Sequence, residues 1–212
     1  MKTVVIIPIK KKSERVKGKN FKKVNGIPLY EITLKKLKKC NFDEVYVDTD
    51  SQEIKKYCLN NNINIINRLK SLSKNTANGN DLLNYHLKII EADIYFQLFI
   101  TAPLLKISTI NKCIETLKKS KKHDSIMTVR SLYTWFWFNN RPINYDPRIL
   151  PRSQDAKPVI VETTALYGIK RLSLKKRKCR IGFKPFFYET SERECVDLDN
   201  KKDFEYLKYI IS

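Results

Sequence analysis

Short apolar runs alternate with longer amphipathic stretches along most of this chain, and that rhythm limits its fold more than any other feature. Val4-Val5-Ile6-Ile7 is apolar at every position, as a strand covered on both faces must be. Strand-like runs recur at 44–47, 63–66, 94–100 and 125–129. Between them lie helical stretches at 28–39, 51–59, 81–90 and 107–117. Pro28 suits a first helical turn, and Asp50 or Ser51 suits an N-cap. Ile107, Ile110, Ile114 and Leu117 form one helical stripe. Strand–helix units of this length predict an α/β fold with a doubly wound, mainly parallel sheet. Such sheets bind ligands beyond the carboxyl ends of their strands, so chemistry is expected just after the apolar runs.

From about Leu132 the pattern changes. The aromatic cluster Tyr133, Trp135, Phe136, Trp137 and Phe138 precedes a Pro- and Arg-rich stretch over 141–158. β-like segments follow at 159–169 and 183–189, and 203–211 reads as a closing helix. The 212 residues fit a single domain, 1–212, in which 132–189 forms a small β-rich lobe suited to acceptor binding and to pairing with a second subunit.

Composition narrows the function classes. The 42 Lys and Arg exceed the 22 Asp and Glu, giving a formal charge of +20 that favours an anionic partner. Much of the excess is lysine in helical contexts, where it reads as solvated faces, so nucleic acid is not the expected partner. The five cysteines lack a C-x-x-C pair, and His86 and His123 are the only imidazoles, which excludes a histidine-rich metal site. His86 reads as a structural residue on the apolar side of its helix. The apolar stretch at 3–9 is too short for a signal peptide and no run has membrane-spanning length, so a cytoplasmic protein without membrane association is expected.

Two groups of residues carry chemistry. The loop 10–20 after the first strand holds six cations, Lys10, Lys11, Lys12, Arg15, Lys17 and Lys19, with Ser13 and Asn20 as neutral hydrogen-bonding groups. A cationic loop at a strand's carboxyl end suits polyphosphate, although no P-loop pattern is present. The second group is Val196-Asp197-Leu198-Asp199. Alternation in an extended segment puts both carboxylates on one face, a clamp suited to Mg²⁺. Asp199 also suits the N-cap of the closing helix, with Asp203 supporting the first turn.

These features fall into an ordered set of motifs. The chain opens with Ile7-Pro8-Ile9-Lys10, then Ser13, then Lys19-Asn20, followed by Asn25-Gly26-Ile27-Pro28-Leu29 and Asp48-Thr49-Asp50-Ser51. Arg68, Asn78-Gly79-Asn80-Asp81, Thr101-Ala102-Pro103-Leu104, Arg152, Gln154 and Glu162-Thr163-Thr164-Ala165-Leu166-Tyr167 come next, then Val196-Asp197-Leu198-Asp199 with Asp203-Phe204. In this order they resemble the acylneuraminate (CMP-sialic acid) cytidylyltransferase family, with similarity to CMP-KDO synthetases in the stretch from Ser13 to Lys19. Three positions depart from the family pattern. Lys10 replaces an arginine, Gly18 is the only glycine of the first loop, and Phe99 stands where the family has a glutamine, with Gln97 two residues earlier on the same strand face.

The resemblance implies a nucleotide-diphospho-sugar transferase-like fold and transfer of CMP from CTP to the hydroxyl of an acidic sugar, with release of pyrophosphate. It implies Lys19, Arg15 and Asp199 as catalytic residues and Mg²⁺ on Asp197 and Asp199. Pro8, Lys10, Ser13, Asn20, Arg68, Asn78, Asn80 and Asp81 would contact the nucleotide. Gln97, Thr101, Arg152 and Gln154 would contact the acceptor, and the enzyme would be a homodimer. A sialic acid-like nonulosonate, a KDO-type acid, and a non-sugar acid or phosphonate all remain open as acceptors. A basic nucleic-acid-binding protein is the reading from another class.

Overall fold

The first apolar run becomes β1 (Thr3–Ile9), buried at every residue but Pro8. Its alternate side chains enter two different cores, Val5, Ile7 and Ile9 on one face of the sheet and Val4 and Ile6 on the other. The computed structural model describes residues 1–13 and 16–211. After β1 come the short strands β2 (Lys23–Val24) and β3 (Ile27–Pro28), then α1 (Leu29–Leu37), β4 (Glu44–Thr49), α2 (Gln52–Asn60), β5 (Asn64–Asn67) and α3 (Gly79–Ile89). The chain continues through β6 (Ile94–Leu98), α4 (Ile107–Lys119), β7 (Ser125–Leu132), β8 (Trp137–Phe138), β9 (Arg141–Pro142), β10 (Val159–Lys170), α5 (Arg171–Arg177), β11 (Pro185–Glu189) and α6 (Lys201–Ile211). β2 and β3 form a hairpin whose turn residues Asn25 and Gly26 both have positive φ, 48° and 80°, as a two-residue turn of this hand requires.

One seven-stranded sheet has the order β11-β7-β10-β6-β1-β4-β5. β1 pairs in parallel with β4 and β6, and β4 with β5. β10 alone runs against its neighbours, β6 and β7, and β11 returns parallel to β7. Side chains of α1, α2, α4 and α6 pack on one face, and those of α3 and α5 on the other. The sheet is therefore doubly wound and mainly parallel, as the alternation of runs predicts.

Two elements change the reading of 132–189. β10 and β11 complete the central sheet, because the apolar residues Ala165, Leu166, Tyr167 and Ile169 are buried between β6 and β7. Outside that sheet stand the β8–β9 ribbon and its flanking loops. The helix α5 also falls in this stretch, and its only buried residue is Leu174, so it leaves no apolar stripe to read.

The connectivity creates the crevice. From β1 the chain moves outward through β4 and β5, then crosses back to lay β6 on the other side of β1. The strand order reverses between β1 and β6, which is where sheets of this kind open to ligands. Pro8 has no N–H to give a ladder, and it sits past the last β1–β6 pair, Ile6 with Gln97. There the two strands diverge.

Candidate active site

Lys10 and Asn20, at the two ends of the loop after β1, are in contact. Asn20 is buried and its Nδ2 donates to the Lys10 carbonyl at 2.7 Å, which ties the two ends of the loop together. Gly18, with φ 65°, precedes a 3₁₀ turn at Lys19–Phe21, which sets Lys19 at the rim. Lys10 Nζ reaches Asn75 Oδ1 at 2.6 Å. Pro8, Lys10, Lys12, Ser13, Lys19 and Asn20 line a cleft of about 280 Å³ together with Asp199. Arg15 lies outside the described residues.

The opposite wall is the segment before α6. Leu198 is fully buried and its N–H donates to the Thr101 carbonyl at 2.9 Å, so the segment is pinned to the loop after β6. That loop is held in turn by Lys36 of α1, whose Nζ donates to the carbonyls of Pro103 and Leu105, both at 2.6 Å. Asp197 and Asp199 flank Leu198 and border one cleft, so they share a side as the alternation predicts. Asp199 Oδ1 lies 3.2 Å from Lys19 Nζ. Asn200, not Asp199, caps α6: Asn200 Oδ1 accepts from the Asp203 N–H at 3.1 Å, and Asp203 Oδ2 accepts from the Asn200 N–H at 2.7 Å. Asp199 Oδ1 is thereby turned to the loop after β1.

Asp197 is positioned by Thr164, whose hydroxyl donates to Asp197 Oδ2 at 2.6 Å. Thr164 has φ 55° and lies in the irregularity between Glu162 and Tyr167, where β10 breaks register with β7. The other oxygen, Asp197 Oδ1, is buried, and among the described residues nothing donates a hydrogen bond to it. A buried carboxylate oxygen without a donor, beside a second carboxylate, fits a divalent cation with hard oxygen ligands, since Mg²⁺ takes one or two protein carboxylates plus phosphate and water. Among the described residues no cluster of three or more His, Cys, Asp and Glu is assembled.

A second cleft of about 290 Å³ shares Lys19 and Asp199 with the first and is lined further by Phe99, Thr101, Thr164, Arg180 and Asp197. Here Arg180 and Thr164 join the site without having been expected there. The signal for Thr164 is its backbone, which only the fold reveals, and Arg180 is hidden in sequence behind the cationic run at 175–178.

Other expected residues are bonded within the protein. The Arg68 guanidinium is buried and gives Nε to Asp48 Oδ1 at 3.0 Å and Nη2 to the Asp48 carbonyl at 3.0 Å. His86, fully buried, lies 3.0 Å from Asp48 Oδ2 through Nε2, which makes a buried Arg68–Asp48–His86 cluster at the end of β4. Burial alone would raise the Asp48 pKa, but the hydrogen bond to His86 and the charge of Arg68 outweigh it and hold the carboxyl below its ordinary value. Asn78 and Asp81 form the capping box of α3, and Asn80 Oδ1 accepts from the Arg180 N–H at 2.9 Å. Gln97 is fully buried and donates to the Gly79 carbonyl at 2.9 Å. Arg152 pairs with Asp155 at 2.6 Å on the exposed segment beyond β9, and neither it nor Gln154 borders the two clefts.

A doubly wound sheet of this order, opening at its switch point between a cationic loop and paired carboxylates, has the fold of the nucleotidyltransferases. The sequence profile of the cytidylyltransferase family matches residues 4–170, and the chain belongs to that family. It is 24% identical over 197 residues to N-acylneuraminate cytidylyltransferase A of Danio rerio, covering 88% of this chain and 45% of that protein. It is 34% identical over 122 residues to 3-deoxy-manno-octulosonate cytidylyltransferase of Fusobacterium nucleatum, covering 57% of this chain and 48% of that one. The chain thus spans about half the length of these curated relatives. In three dimensions it is similar to a CMP:2-keto-3-deoxy-manno-octonic acid synthetase solved with CTP, with a TM-score of 0.72 at 16% identity over 100% of this chain and 98% of that one. A 4-diphosphocytidyl-2C-methyl-D-erythritol synthase from Anaerococcus prevotii shares the fold at a TM-score of 0.69 and 13% identity, covering 99% of this chain and 96% of that one.

Proposed function

We propose that this protein transfers a cytidylyl group from CTP to the hydroxyl of an acidic sugar of the nonulosonate or 3-deoxy-octulosonate type and releases pyrophosphate. The observation that carries this reading is the 3.2 Å contact of Lys19 with Asp199, which joins the cationic cleft to the aspartate pair at the sheet's switch point. Lys10, Lys12 and Lys19 face one cleft and would neutralise a triphosphate, with Ser13 as a neutral donor to it. Lys19 stands where the two clefts meet, so it would meet charge developing on the oxygens of the transferred phosphoryl group. The acceptor would occupy the second cleft and bring its hydroxyl to that junction, in the in-line position the transfer needs.

Asp197 and Asp199 are the residues that would hold Mg²⁺, which when bound lowers the pKa of a hydroxyl and neutralises phosphate charge. Thr164 holds Asp197 in place for it. A homodimer belongs to the same reading. Tyr133, Trp135, Trp137, Phe138, Ile143, Ile149 and Leu150 are all exposed around the β8–β9 ribbon, an apolar area suited to a second copy. Pairing there would be the route by which Arg152 and Gln154 reach a site.

The test is a pyrophosphate-release screen of CTP, UTP, ATP and GTP against N-acylneuraminates, 3-deoxy-manno-octulosonate and phosphonate acceptors, with Mg²⁺ and with chelator. Release with CTP and a sugar acid, lost on chelation, is expected. Equal use of all four nucleotides, or no release with any acid, would sink the proposal.

A further inference from the structure

We infer that Arg180 is the residue that recognises the acceptor's carboxylate. The inference rests on the cytidylyl-transfer reading and deepens it. Arg180 follows α5, and its backbone N–H is fixed by Asn80 Oδ1 at 2.9 Å, so the start of α3 sets its place. Its guanidinium carbon lies 3.6 Å from the centre of the Tyr167 ring and 5.8 Å from that of Phe99. A guanidinium stacked on an aromatic face is oriented without using its N–H groups.

Gly79 leaves it room. A Cβ at that position would stand 3.0 Å from Arg180 Nη1. Among the described residues the guanidinium makes no hydrogen bond. Glu162 is its ion-pair neighbour at 3.7 Å, beyond hydrogen-bonding distance, and accepts the Tyr167 hydroxyl at 2.6 Å instead. The Arg180 side chain is 24% exposed, and it lines the second cleft with Phe99, Thr101 and Thr164, none of which borders the first.

The choice of ligand follows from the geometry. A planar fork with unused edge donors matches a planar anion bidentately, whereas the flexible ammonium groups of the first cleft suit triphosphate as point charges. Among the described residues the two clefts share Lys19 and Asp199. An acceptor whose hydroxyl lies at that junction must extend toward Arg180, and a carboxylate near the hydroxyl would meet it. Gln97, the acceptor contact expected from sequence, is fully buried with its amide nitrogen on the Gly79 carbonyl, whereas Arg180 lines the cleft itself.

The test compares wild type, Arg180→Gln and Arg180→Lys by steady-state pyrophosphate release, with thermal shift on adding CTP as a binding control. The acceptors are 3-deoxy-manno-octulosonate and N-acetylneuraminate, each as the free acid and as its carboxamide. Arg180→Gln is expected to raise the acid's KM by roughly 10- to 100-fold while the CTP shift and CTP KM stay put. Arg180→Lys should recover part of the loss, and the carboxamides should be used equally poorly by wild type and Arg180→Gln. An unchanged acid KM in Arg180→Gln overturns the inference. Loss of the CTP shift in both variants would overturn it in favour of a packing role. If wild type binds CTP but uses neither acid, the transfer reading fails first and takes the inference with it.

Discussion

Lys19 and Asp199 stand 180 positions apart in the chain and form an ion pair across the crevice. With Lys19 largely covered, its side chain 14% exposed, the ammonium is held beside Asp199 where the two clefts meet. Lys19→Met should therefore lower kcat by about 10²- to 10³-fold, the loss typical of one preorganised electrostatic donor, and Asp199→Ala should abolish turnover. Both variants should melt near the wild-type temperature, because the pair is partly exposed and stabilises the fold little. Pyrophosphate release with thermal melts checks both statements. The Arg68–Asp48–His86 cluster behaves oppositely. Breaking a buried ion pair costs about 3–5 kcal/mol, so Asp48→Asn should lower the urea midpoint sharply. Because the Asp48 pKa is depressed in the folded state, its contribution is present above the unfolded carboxylate value of about 3.9 and lost as pH falls through the folded one. Urea midpoints measured across pH 2 to 6 (a range of roughly two units either side of that value) should converge for wild type and Asp48→Asn at the acid end. Midpoints that stay parallel would show that Asp48 carries no linked stability.

Each strand of the central sheet coincides with an apolar or β-branched run, which is why the sheet was legible before any coordinates. Burial on two faces demands such runs, and few other structures tolerate them. What the runs conceal is direction and partner. Nothing in the sequence 159–170 says that it turns against its neighbours, nor that its exposed first half pairs with β7 alone while its buried second half also meets β6. Gly168 marks the cost of that placement. A Cβ there would lie 2.4 Å from the Phe96 ring and 2.8 Å from Ile126 Cγ2, in the middle of the sheet. Gly168→Ala should destabilise by about 1–3 kcal/mol or more through overpacking, read as a fall in urea midpoint at unchanged slope. The candidate site was legible in the same uneven way. The lysine loop and the aspartate pair announce themselves by charge and alternation. Asn78, Asp81 and Arg68 matched family motifs, but their side chains close a helix cap and a buried ion cluster, and partners of that kind are set by tertiary packing rather than by position in a motif. Arg180 escaped notice because one cation among many carries no local signal. Its stacking on Tyr167 is visible only in the fold.

At the scale of the whole molecule, a formal charge of +20 and an exposed aromatic ribbon pull in different directions. Two chains of like charge repel, and the repulsion is long-ranged in dilute salt, with a Debye length of about 10 Å at 0.1 M. The apolar contact expected around Trp137 and Phe138 is short-ranged and survives added salt. Capture of a triphosphate by Lys10, Lys12 and Lys19 is the reverse case, an attraction that salt screens. Raising NaCl from about 0.05 M to about 0.5 M should therefore tighten the dimer while raising the KM for CTP. Sedimentation velocity should report a species of twice the 25.0 kDa chain mass, populated at lower protein concentration as salt rises. The double variant Trp137→Glu with Phe138→Glu, which places charge in the ribbon, should sediment as a monomer at every salt concentration. If its KM for CTP keeps the wild-type salt dependence, the lysine cleft acts within one chain, and any loss of kcat or rise in acceptor KM measures what the second copy contributes. A variant that still dimerises would move the interface off the ribbon. A dimer that loosens with salt would mean that the contact is held by charge, which the exposed aromatic side chains do not supply.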